Sequence, residues 1–591
     1  MIRVATPSPT LDALAALHGD MPVLPVSFAQ MRFYVLDQLD EGATYTIPVA
    51  LRLRGTLDAG ALERALLTVA ERHEALRTVF VMDGPEPVQV VLSAARVPFE
   101  LKDLRALDAA AREAAVAEHA TANANAPFDL AAGPLLRAAL LRLADDEHVL
   151  LLAMHHIVSD GWSVGVLFEE LEQAYGALAA GGPAALPALP LQYPDFAVWQ
   201  RRAMEGTAAA RQLAYWTDRL RDLPTLDLGT DRPRPPIQSA AGDKREVTIP
   251  AAVADAVRAI GRREGATAYM TFLAAFVALL HRYSGQADLV VGSITSGRRR
   301  AEVESLIGLF VNTLAIRVGT DGAMPFAELL RAVRDRATEA YANQDVPFEH
   351  VVDAVQPVRD RSRSPVFQVA FQLLEGLARE PQFPGLAASR VPGVKATTKF
   401  DLTLMLHAGP GGGLRAVMEY ATALWDAATV DRMLAHYAAL LAAIAREPGA
   451  PIGKLRLLDA AEDAAVTARW NDTAAPLPAW TTPARVLARA AAHPERVAVQ
   501  GGDDTLTYGA LASASAALAR QLTGAGVRPG DSVGVCMERT PSLVVALLAV
   551  HRAGAAYVPL DPAYPADRVA HVLADAGVRA VLVDASTAGR L

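Results

Sequence analysis

The chain has 591 residues, of which 52% are hydrophobic and 20% are charged, so it is long enough for several domains and has an ordinary globular composition. Its formal net charge of −9 argues against a nucleic-acid partner. The single cysteine, Cys536, excludes an intrachain disulfide and a cysteine-rich metal site. The N-terminus lacks the pattern of a secretory signal, and no apolar run is long enough to span a bilayer. We therefore expect a cytoplasmic location and no membrane partner.

The first 180 residues alternate between strand and helix patterns. Residues 1–21 look like a short leader. A strand is predicted over residues 46–54 and a helix over residues 58–72, where apolar side chains recur at helical spacing. This alternation indicates an α/β fold.

A loop with two histidines and an aspartate follows in this first region. It has the sequence HHIVSDG over residues 155–161, between a predicted buried strand at 148–154 and a predicted helix at 163–180. Loops on a rigid scaffold often carry reactive side chains. An imidazole there can act as a general base near neutral pH, and a glycine lets the backbone approach a substrate closely.

Proline-rich and glycine-rich breaks interrupt the chain after this loop, at residues 181–194 and 231–236. A second α/β segment is predicted over residues 245–450. It includes a strong helix over 268–283 and a strand over 288–293.

Residues 451–483 have the composition of a linker, with three prolines near their end. A further α/β unit is predicted from residue 484 onward, with a strand over 532–537.

The HHxxxDG string resembles the signature of the condensation domains of nonribosomal peptide synthetases, whose wider relatives are the chloramphenicol acetyltransferase-like acyltransferases. Further strings resemble the other motifs of that family in the expected order: residues 27–32 (SFAQMR), 72–78 (RHEALRT), 193–199 (YPDFAVW), 307–313 (IGLFVNT), 343–349 (NQDVPFE) and 359–368. Seven ordered motifs are far more specific than one.

The resemblance implies an α/β fold with two chloramphenicol acetyltransferase-like lobes that form a V around an active-site tunnel. The domain boundaries that we predict are a leader at 1–21, an N-lobe at 22–180, a C-lobe at 181–450, a linker at 451–483 and a partial adenylation domain at 484–591. The last assignment depends on residues 506–511 and 552–561, which look like the first motifs of amino-acid adenylation domains. No phosphate-binding loop follows Asp561, so we expect only the N-terminal part of such a domain and no adenylation activity.

The function implied by the resemblance is formation of an amide bond. The donor would be an upstream carrier-bound aminoacyl or peptidyl thioester, and the acceptor would be the amine of a downstream carrier-bound aminoacyl thioester. Both substrates would be attached to the 4'-phosphopantetheine of peptidyl carrier proteins, and we expect no directly bound cofactor and no metal. Because Met1 precedes the first motif by only 26 residues, we expect the donor carrier in trans, and a downstream adenylation domain is the other expected partner.

The catalytic residues implied by the resemblance are His156, His155, Asp160 and Gly161. His156 would accept a proton from the acceptor amine or orient it, and His155 would be structural. The backbone N–H of Gly161 is a candidate donor to the oxyanion. An ionised, buried Asp160 needs a cation.

The family pattern favours Arg77 as the cation beside Asp160, with Arg72 as the alternative. Ser159 looks like the residue of the subtype that accepts L-configured donors, and Trp162 is a further candidate for active-site support.

Two features leave alternatives open. Asn312 could orient a substrate amide or could satisfy backbone groups in a turn. The run at residues 298–300, RRR, could meet an acidic carrier protein or lie in a solvated loop.

Two other functional classes compete with condensation. One is a stand-alone O- or N-acyltransferase that uses coenzyme A or a carrier, and the other is a non-catalytic carrier-binding module. The adenylation-like strings argue against the first, and the intact histidine loop argues against the second.

Overall fold

The structure is a computed structural model that describes residues 21–39, 44–356, 360–374, 381–391 and 397–590. It divides into two compact units, with the division between Ala464 and Ala465. The predicted leader, except for residue 21, and Arg359 of the last motif lie outside the described residues.

The first lobe of unit 1 begins with a short strand and alternates strands with helices. Its elements are β1 (Val23–Pro25), α1 (Phe28–Leu39), β2 (Thr46–Arg54), α2 (Ala59–Arg72), β3 (Thr78–Asp83), β4 (Glu86–Val91), β5 (Phe99–Asp103), α3 (Ala109–Asn125), β6 (Leu136–Arg142), β7 (Glu147–His155), α4 (Gly161–Ala179) and α5 (Tyr193–Met204).

Strand β7 is the central element of this lobe. It pairs antiparallel with β2 on one side and with β6 on the other. Leu150 and Leu152 pack in the core that contains α2 and α4, whereas Val149 and Leu151 pack in a smaller cluster with α3. Because alternate side chains of a strand point to opposite faces, a strand covered on both faces is an almost continuous apolar run. This burial fixes the end of β7, where the histidine loop begins.

The second lobe is built on a six-stranded sheet that buries an apolar helix. Its elements are α6 (Thr207–Arg219), β8 (Gly242–Ile249), α7 (Ala251–Arg263), α8 (Ala268–Ser284), β9 (Asp288–Thr295), β10 (Asn312–Gly319), α9 (Phe326–Ala342), α10 (Phe348–Val355), β11 (Val369–Leu373), β12 (Ala387–Arg390), β13 (Leu402–Ala408), β14 (Leu414–Ala421), α11 (Ala427–Arg446) and α12 (Ala460–Thr467). Six of these strands form a mixed sheet in the order β10-β9-β11-β13-β14-β8, on which α8 is buried.

The two lobes exchange elements, so the predicted boundary at residues 180/181 separates them in sequence but not in space. Strand β12 pairs antiparallel with β2 and joins the sheet of the first lobe. The side chains of Ile307, Leu309 and Phe310 also lie in the core of the first lobe. A local sequence pattern does not reveal such crossings, because they depend on distant partners.

The predicted linker at 451–483 is too long at its N-terminal end. Ile452 and Leu455 are buried in the core of the second lobe, and α12 follows them. Residues 472–480 are exposed and contain neither helix nor strand. The exposed, irregular part of this region is therefore shorter than the predicted linker.

Unit 2 is an α/β unit, as predicted. Its elements are α13 (Thr482–Ala492), β15 (Val497–Gly501), β16 (Asp504–Thr507), α14 (Tyr508–Gly524), β17 (Ser532–Cys536), α15 (Pro541–Arg552), β18 (Ala556–Pro559), α16 (Ala566–Asp575) and β19 (Val578–Val583). Strand β17 lies in the middle of a parallel sheet, between β18 and β19.

Within the described residues, no single helix is long and apolar enough to cross a membrane. One bent pair, α7 and α8 with an angle of 106° between them, meets the criterion by length and composition only.

Candidate functional site

The histidine loop lies between β7 and α4, as the sequence predicts. His155 is the last residue of β7, residues His156–Val158 form a 3-10 turn, and α4 begins at Gly161. Asp160 caps α4, since its carboxylate accepts a hydrogen bond from the Ser163 N–H at 2.8 Å. The helix therefore starts two residues earlier than predicted, and its N-terminus is directed at the loop.

His156 is surrounded by protein yet keeps partial solvent exposure. Its ring stacks on the ring of Phe33, with centroids 4.8 Å apart, and its backbone N–H donates to the Tyr45 carbonyl at 2.7 Å. Nδ1 is buried and has no hydrogen-bond partner among the described residues, so Nε2 is the nitrogen that a substrate can reach.

The pKa of His156 lies well below the ordinary value of 6.5. Burial is the main cause, because it disfavours the charged ring, and the nearby Lys399 ammonium acts in the same direction. The imidazole is thus neutral at physiological pH and can accept a proton.

His155 has a different environment from its neighbour. It is almost fully buried, its Nδ1 accepts a hydrogen bond from the Ile157 N–H at 3.2 Å, and its Nε2 lies 3.3 Å from the Asp37 carboxylate. Because Nδ1 accepts, the neutral ring carries its proton on Nε2, the nitrogen that lies beside the Asp37 carboxylate. Both nitrogens are engaged, which fits a structural role.

The cation beside Asp160 is Arg298, and the prediction of Arg77 or Arg72 is wrong. Arg298 Nη2 lies 3.3 Å from Asp160 Oδ1, and both side chains are completely buried. The other carboxylate oxygen accepts a hydrogen bond from the Phe310 N–H at 3.0 Å, and Ser163 Oγ donates to Oδ1 at 2.8 Å. The sequence left two roles open for the arginines at 298–300, contact with a carrier protein or a solvated loop. Arg298 has neither role, because its side chain is buried against Asp160.

The two arginines favoured by the sequence stabilise other contacts. Arg72 forms an ion pair with Glu170 at 3.0 Å, and the same carboxylate accepts from His73 Nε2 at 2.8 Å. Arg77 binds Glu74 at 3.3 Å and the Leu92 carbonyl. In the motif that contains both arginines, Arg72 therefore links α2 to α4, and neither arginine contacts Asp160.

Asn312 uses all its polar atoms on backbone groups. Its Nδ2 donates to the carbonyls of Gln344 and Val346, both at 2.8 Å, and its Oδ1 accepts from the N–H groups of Thr313 and Phe348. This is the second of its two predicted roles, since no donor or acceptor remains for a substrate amide.

The remaining predicted residues surround the loop. Ser159 is fully buried, and Trp162 Nε1 donates to the Glu304 carbonyl at 2.8 Å. Gly161 is the exposed first residue of α4, and an added Cβ would meet no atom within 4 Å. Its N–H is among the first four of a helix, which have no intrahelical partner, so it can donate to an anion outside the helix.

Sequence reasoning missed Lys399 and the role of Phe33. Lys399 directly precedes Phe400 and β13, and its ammonium lies 5.7 Å from the ring centroids of Phe33 and of Tyr45. Burial lowers the pKa of Lys399 to about 8. A single lysine beside an aromatic residue has no distinctive pattern, and its position becomes informative only when the lobes are assembled.

Over the described ranges, no group of three or more His, Cys, Asp or Glu side chains is arranged to hold a metal ion.

Comparison with family models gives two matches. Residues 21–467 match the condensation domain, and residues 486–590 match the AMP-binding enzyme family. The second match begins close to the predicted start of the partial adenylation domain.

The similar curated proteins are peptide synthetases. One of the linear gramicidin synthase proteins of Brevibacillus parabrevis is 44% identical over 95% of this chain and 11% of its own length. Phosphinothricin tripeptide synthetase PhsC of Streptomyces viridochromogenes is 40% identical over 99% of this chain and 54% of its own length. The chain spans only about a tenth of the gramicidin synthase protein that it matches.

Solved structures support the same fold. A four-domain nonribosomal peptide synthetase bound to AMP and glycine superposes with a TM-score of 0.78 at 22% identity, over 96% of this chain and 44% of that one. The X-domain from teicoplanin biosynthesis, solved in complex with OxyB, has a TM-score of 0.66 at 30% identity, over 74% of this chain and 96% of that one. The predicted two-lobed α/β fold followed by a partial adenylation region is confirmed.

Proposed function

The chain belongs to the condensation-domain family, and from this we propose that residues 21–467 join two carrier-bound substrates through an amide bond. Condensation and adenylation domains work with carrier protein domains, and both family matches occur here in that order. The observation that carries the proposal is His156, a neutral and partly exposed imidazole directly after the end of strand β7.

The reaction is aminolysis of a thioester. The acceptor amine nitrogen attacks the thioester carbon of the donor, the C–N bond forms, and the C–S bond breaks. His156 Nε2 accepts the proton that the amine loses and can return it to the departing thiolate of the donor arm. General-base assistance of this kind typically contributes about 10²–10⁴-fold.

The N-terminus of α4 supplies the second chemical element. Attack creates negative charge on the carbonyl oxygen, and backbone N–H groups at a helix N-terminus stabilise such charge. Gly161 has no side chain between its N–H and the channel. The buried Asp160–Arg298 pair holds this helix start in place, and neither residue is left free to react.

We also propose that the donor has the L configuration, because Ser159 resembles the residue found in the subtype that accepts L-configured donors. Ser159 is fully buried, and its hydroxyl is directed at the Asp160 carbonyl at 3.5 Å, so its influence on the donor would be exerted through the shape of the loop. Paired assays with L- and D-aminoacyl donors are expected to favour the L form, and equal or reversed use would contradict the assignment.

The experiment that tests the function uses two separately prepared carrier proteins, one loaded with the donor and the other with the acceptor. Intact-mass measurement is expected to show that the acceptor carrier gains the donor acyl mass, which would also support donation in trans. An acceptor with an acetylated amine serves as the control, because it cannot attack.

Two other outcomes would contradict the proposal. Transfer from an aminoacyl coenzyme A thioester, with none from the loaded carrier, would indicate a stand-alone acyltransferase. Binding of both carriers with no transfer would indicate a carrier-binding module.

A further inference from the structure

Lys399 comes from the second lobe but reaches the aromatic residues beside His156. Its backbone is held by Gln238, whose Nε2 donates to the Lys399 carbonyl at 3.2 Å. Two residues later in the chain, Asp401 is buried and paired with Arg234. The base of the side chain is thus fixed, and its ammonium can reach only a limited region.

Phe33 connects the ammonium to the imidazole. Its ring is buried, stacks on the His156 ring and lies 5.7 Å from Lys399 Nζ. The Tyr45 ring lies at the same distance from the ammonium and makes an edge contact with Phe33. A cation near aromatic faces is attracted by them, so both rings hold the ammonium close to His156.

The charge of Lys399 is not cancelled by an ion pair. Among the described residues, no carboxylate lies within 4.0 Å of its ammonium, although its side chain is not sealed from solvent. Glu419 is the acidic group that acts on it, but Glu419 already pairs with Lys244 at 3.3 Å. Lys399 is exposed, but because no carboxylate pairs with its ammonium, the positive charge is not cancelled locally and acts on His156.

The other charged or titratable groups around this point are engaged elsewhere. Arg32 pairs with Glu349 at 3.2 Å, and Asp37 pairs with His155 at 3.3 Å. The groups that face His156 and Lys399 from the packed elements are Arg32 and Asp37 of α1, Tyr45 before β2, His155 of β7, and Glu419 of β14.

We propose that Lys399 is a positioning residue that acts electrostatically on His156 through their shared contact with Phe33. This inference depends on the proposed function, in which His156 must be neutral to accept a proton. A nearby cation disfavours a second positive charge on the imidazole. Lys399 therefore keeps His156 in its proton-accepting form as the pH falls.

The first test measures the protonation of His156 without any substrate. The rate at which diethylpyrocarbonate modifies His156, a reaction of the neutral ring, is followed from pH 5 to 8 by peptide mass spectrometry. In Lys399→Met the midpoint of this profile is expected to move to higher pH than in the wild type. Lys399→Arg, which retains the charge, is expected to keep the wild-type profile.

The matched control is Lys454→Met, which removes an exposed lysine of the same lobe that is not among the groups around His156. It is expected to leave the profile unchanged. If Lys399→Met does not yield folded protein, Lys399→Gln gives the same comparison. An unchanged His156 midpoint in the uncharged Lys399 variants would overturn the inference.

The second test measures transfer between loaded carriers at pH 5.5 and at pH 8. The ratio of the low-pH rate to the high-pH rate is expected to fall at least about threefold in Lys399→Met relative to the wild type and to be restored by Lys399→Arg. Equal losses at both pH values, with no rescue by arginine, would contradict the electrostatic role. A wild-type protein that transfers nothing would contradict the proposed function instead, while the modification profile would still test Lys399.

Discussion

At the scale of single residues, the buried pair of Asp160 and Arg298 stabilises the loop that carries His156. The carboxylate accepts hydrogen bonds from two elements, and the guanidinium also donates to the Leu306 carbonyl at 2.8 Å. Removing one partner from a buried pair leaves an uncompensated charge in a region without solvent. The pair therefore contributes more to the stability of unit 1 than an exposed ion pair at the same distance of 3.3 Å would.

Arg298→Met is expected to lower the free energy of unfolding of unit 1 by about 3–5 kcal/mol, because it leaves Asp160 without its cation. Thermal unfolding by circular dichroism measures the change. Arg299→Met is the matched control, since that neighbour forms an exposed pair with Asp345 at 2.7 Å. Its cost is expected to be below about 1 kcal/mol. Equal effects of the two variants would show that the buried pair is unimportant.

His407 gives a pH dependence whose sign follows from its environment. Burial, with Arg415 and Lys244 nearby, lowers the pKa of this β13 side chain to about 4 from 6.5. In the unfolded chain it takes up a proton near pH 6.5, so the unfolded state binds more protons between pH 6.5 and 4. Stability from this group is present above pH 6.5 and is lost as the pH falls through that window.

His407→Gln is therefore expected to lose less of its melting temperature than the wild type when the pH falls from 7.5 to 5. Melting curves at the two pH values make the comparison. His156 also has a lowered pKa, but it is present in both proteins and therefore does not affect the difference between them. An equal loss of melting temperature in both proteins would contradict the role of His407.

At the scale of elements, the loop between β9 and β10 joins the two lobes. Gly308 contacts Ser163 through both of its backbone polar groups, since its N–H donates to Ser163 Oγ at 3.1 Å and its carbonyl oxygen lies 2.8 Å from the same Oγ. A Cβ at Gly308 would lie 2.0 Å from the ring of Tyr193. Only glycine lets this loop approach the ring so closely.

Gly308→Ala is expected to displace either the loop or Tyr193 and to destabilise unit 1 by about 1–3 kcal/mol. Transfer should fall with it, because the same loop carries the Phe310 N–H that binds Asp160. Melting temperature and transfer rate are both measured. Gly165→Ala on α4, where a Cβ would meet nothing within 4 Å, is the control and is expected to be neutral or stabilising. Similar behaviour of the two variants would contradict the close-packing argument.

Elements whose signal is local were predictable from the sequence. The strand at 46–54 has the predicted bounds, and the helix predicted from residue 58 begins at Ala59 with Asp58 as its N-cap. Alternation and helical periodicity repeat within each element and need no distant partner. Strand β12 was not predicted, because its four residues are mostly exposed and become a strand by pairing with β2.

The site was likewise predictable from the sequence only in its local part. The loop and its histidines follow from residues adjacent in sequence, whereas the cation beside Asp160 lies 138 residues away. Nothing local separates Arg298 from Arg299 and Arg300. Their burial depends on how the loop at 296–311 returns to the first lobe, which is a property of the assembled fold.

At the scale of the whole molecule, a short exposed segment lies near the start of unit 2. Residues 472–480 have no regular structure, and Leu477 is 91% exposed. A segment with few buried contacts opens locally at low cost, so proteases reach it first.

Brief digestion with chymotrypsin is expected to cut first near Leu477 or Trp480 and to release a resistant fragment that contains residues 44–450. Mass spectrometry of the fragments locates the cut. The double variant Leu477→Ser, Trp480→Ser removes two exposed sites and is expected to slow the first cleavage. A first cut inside residues 44–356 would contradict this organisation.

The central claim is that His156 assists transfer chemically and is not needed for folding. The measurement is single-turnover transfer between loaded carriers by wild type and His156→Ala, with melting temperatures compared in parallel. The account predicts a loss of about 10²–10⁴-fold in rate with folding retained. A folded His156→Ala protein that keeps more than about a tenth of the wild-type rate would contradict it.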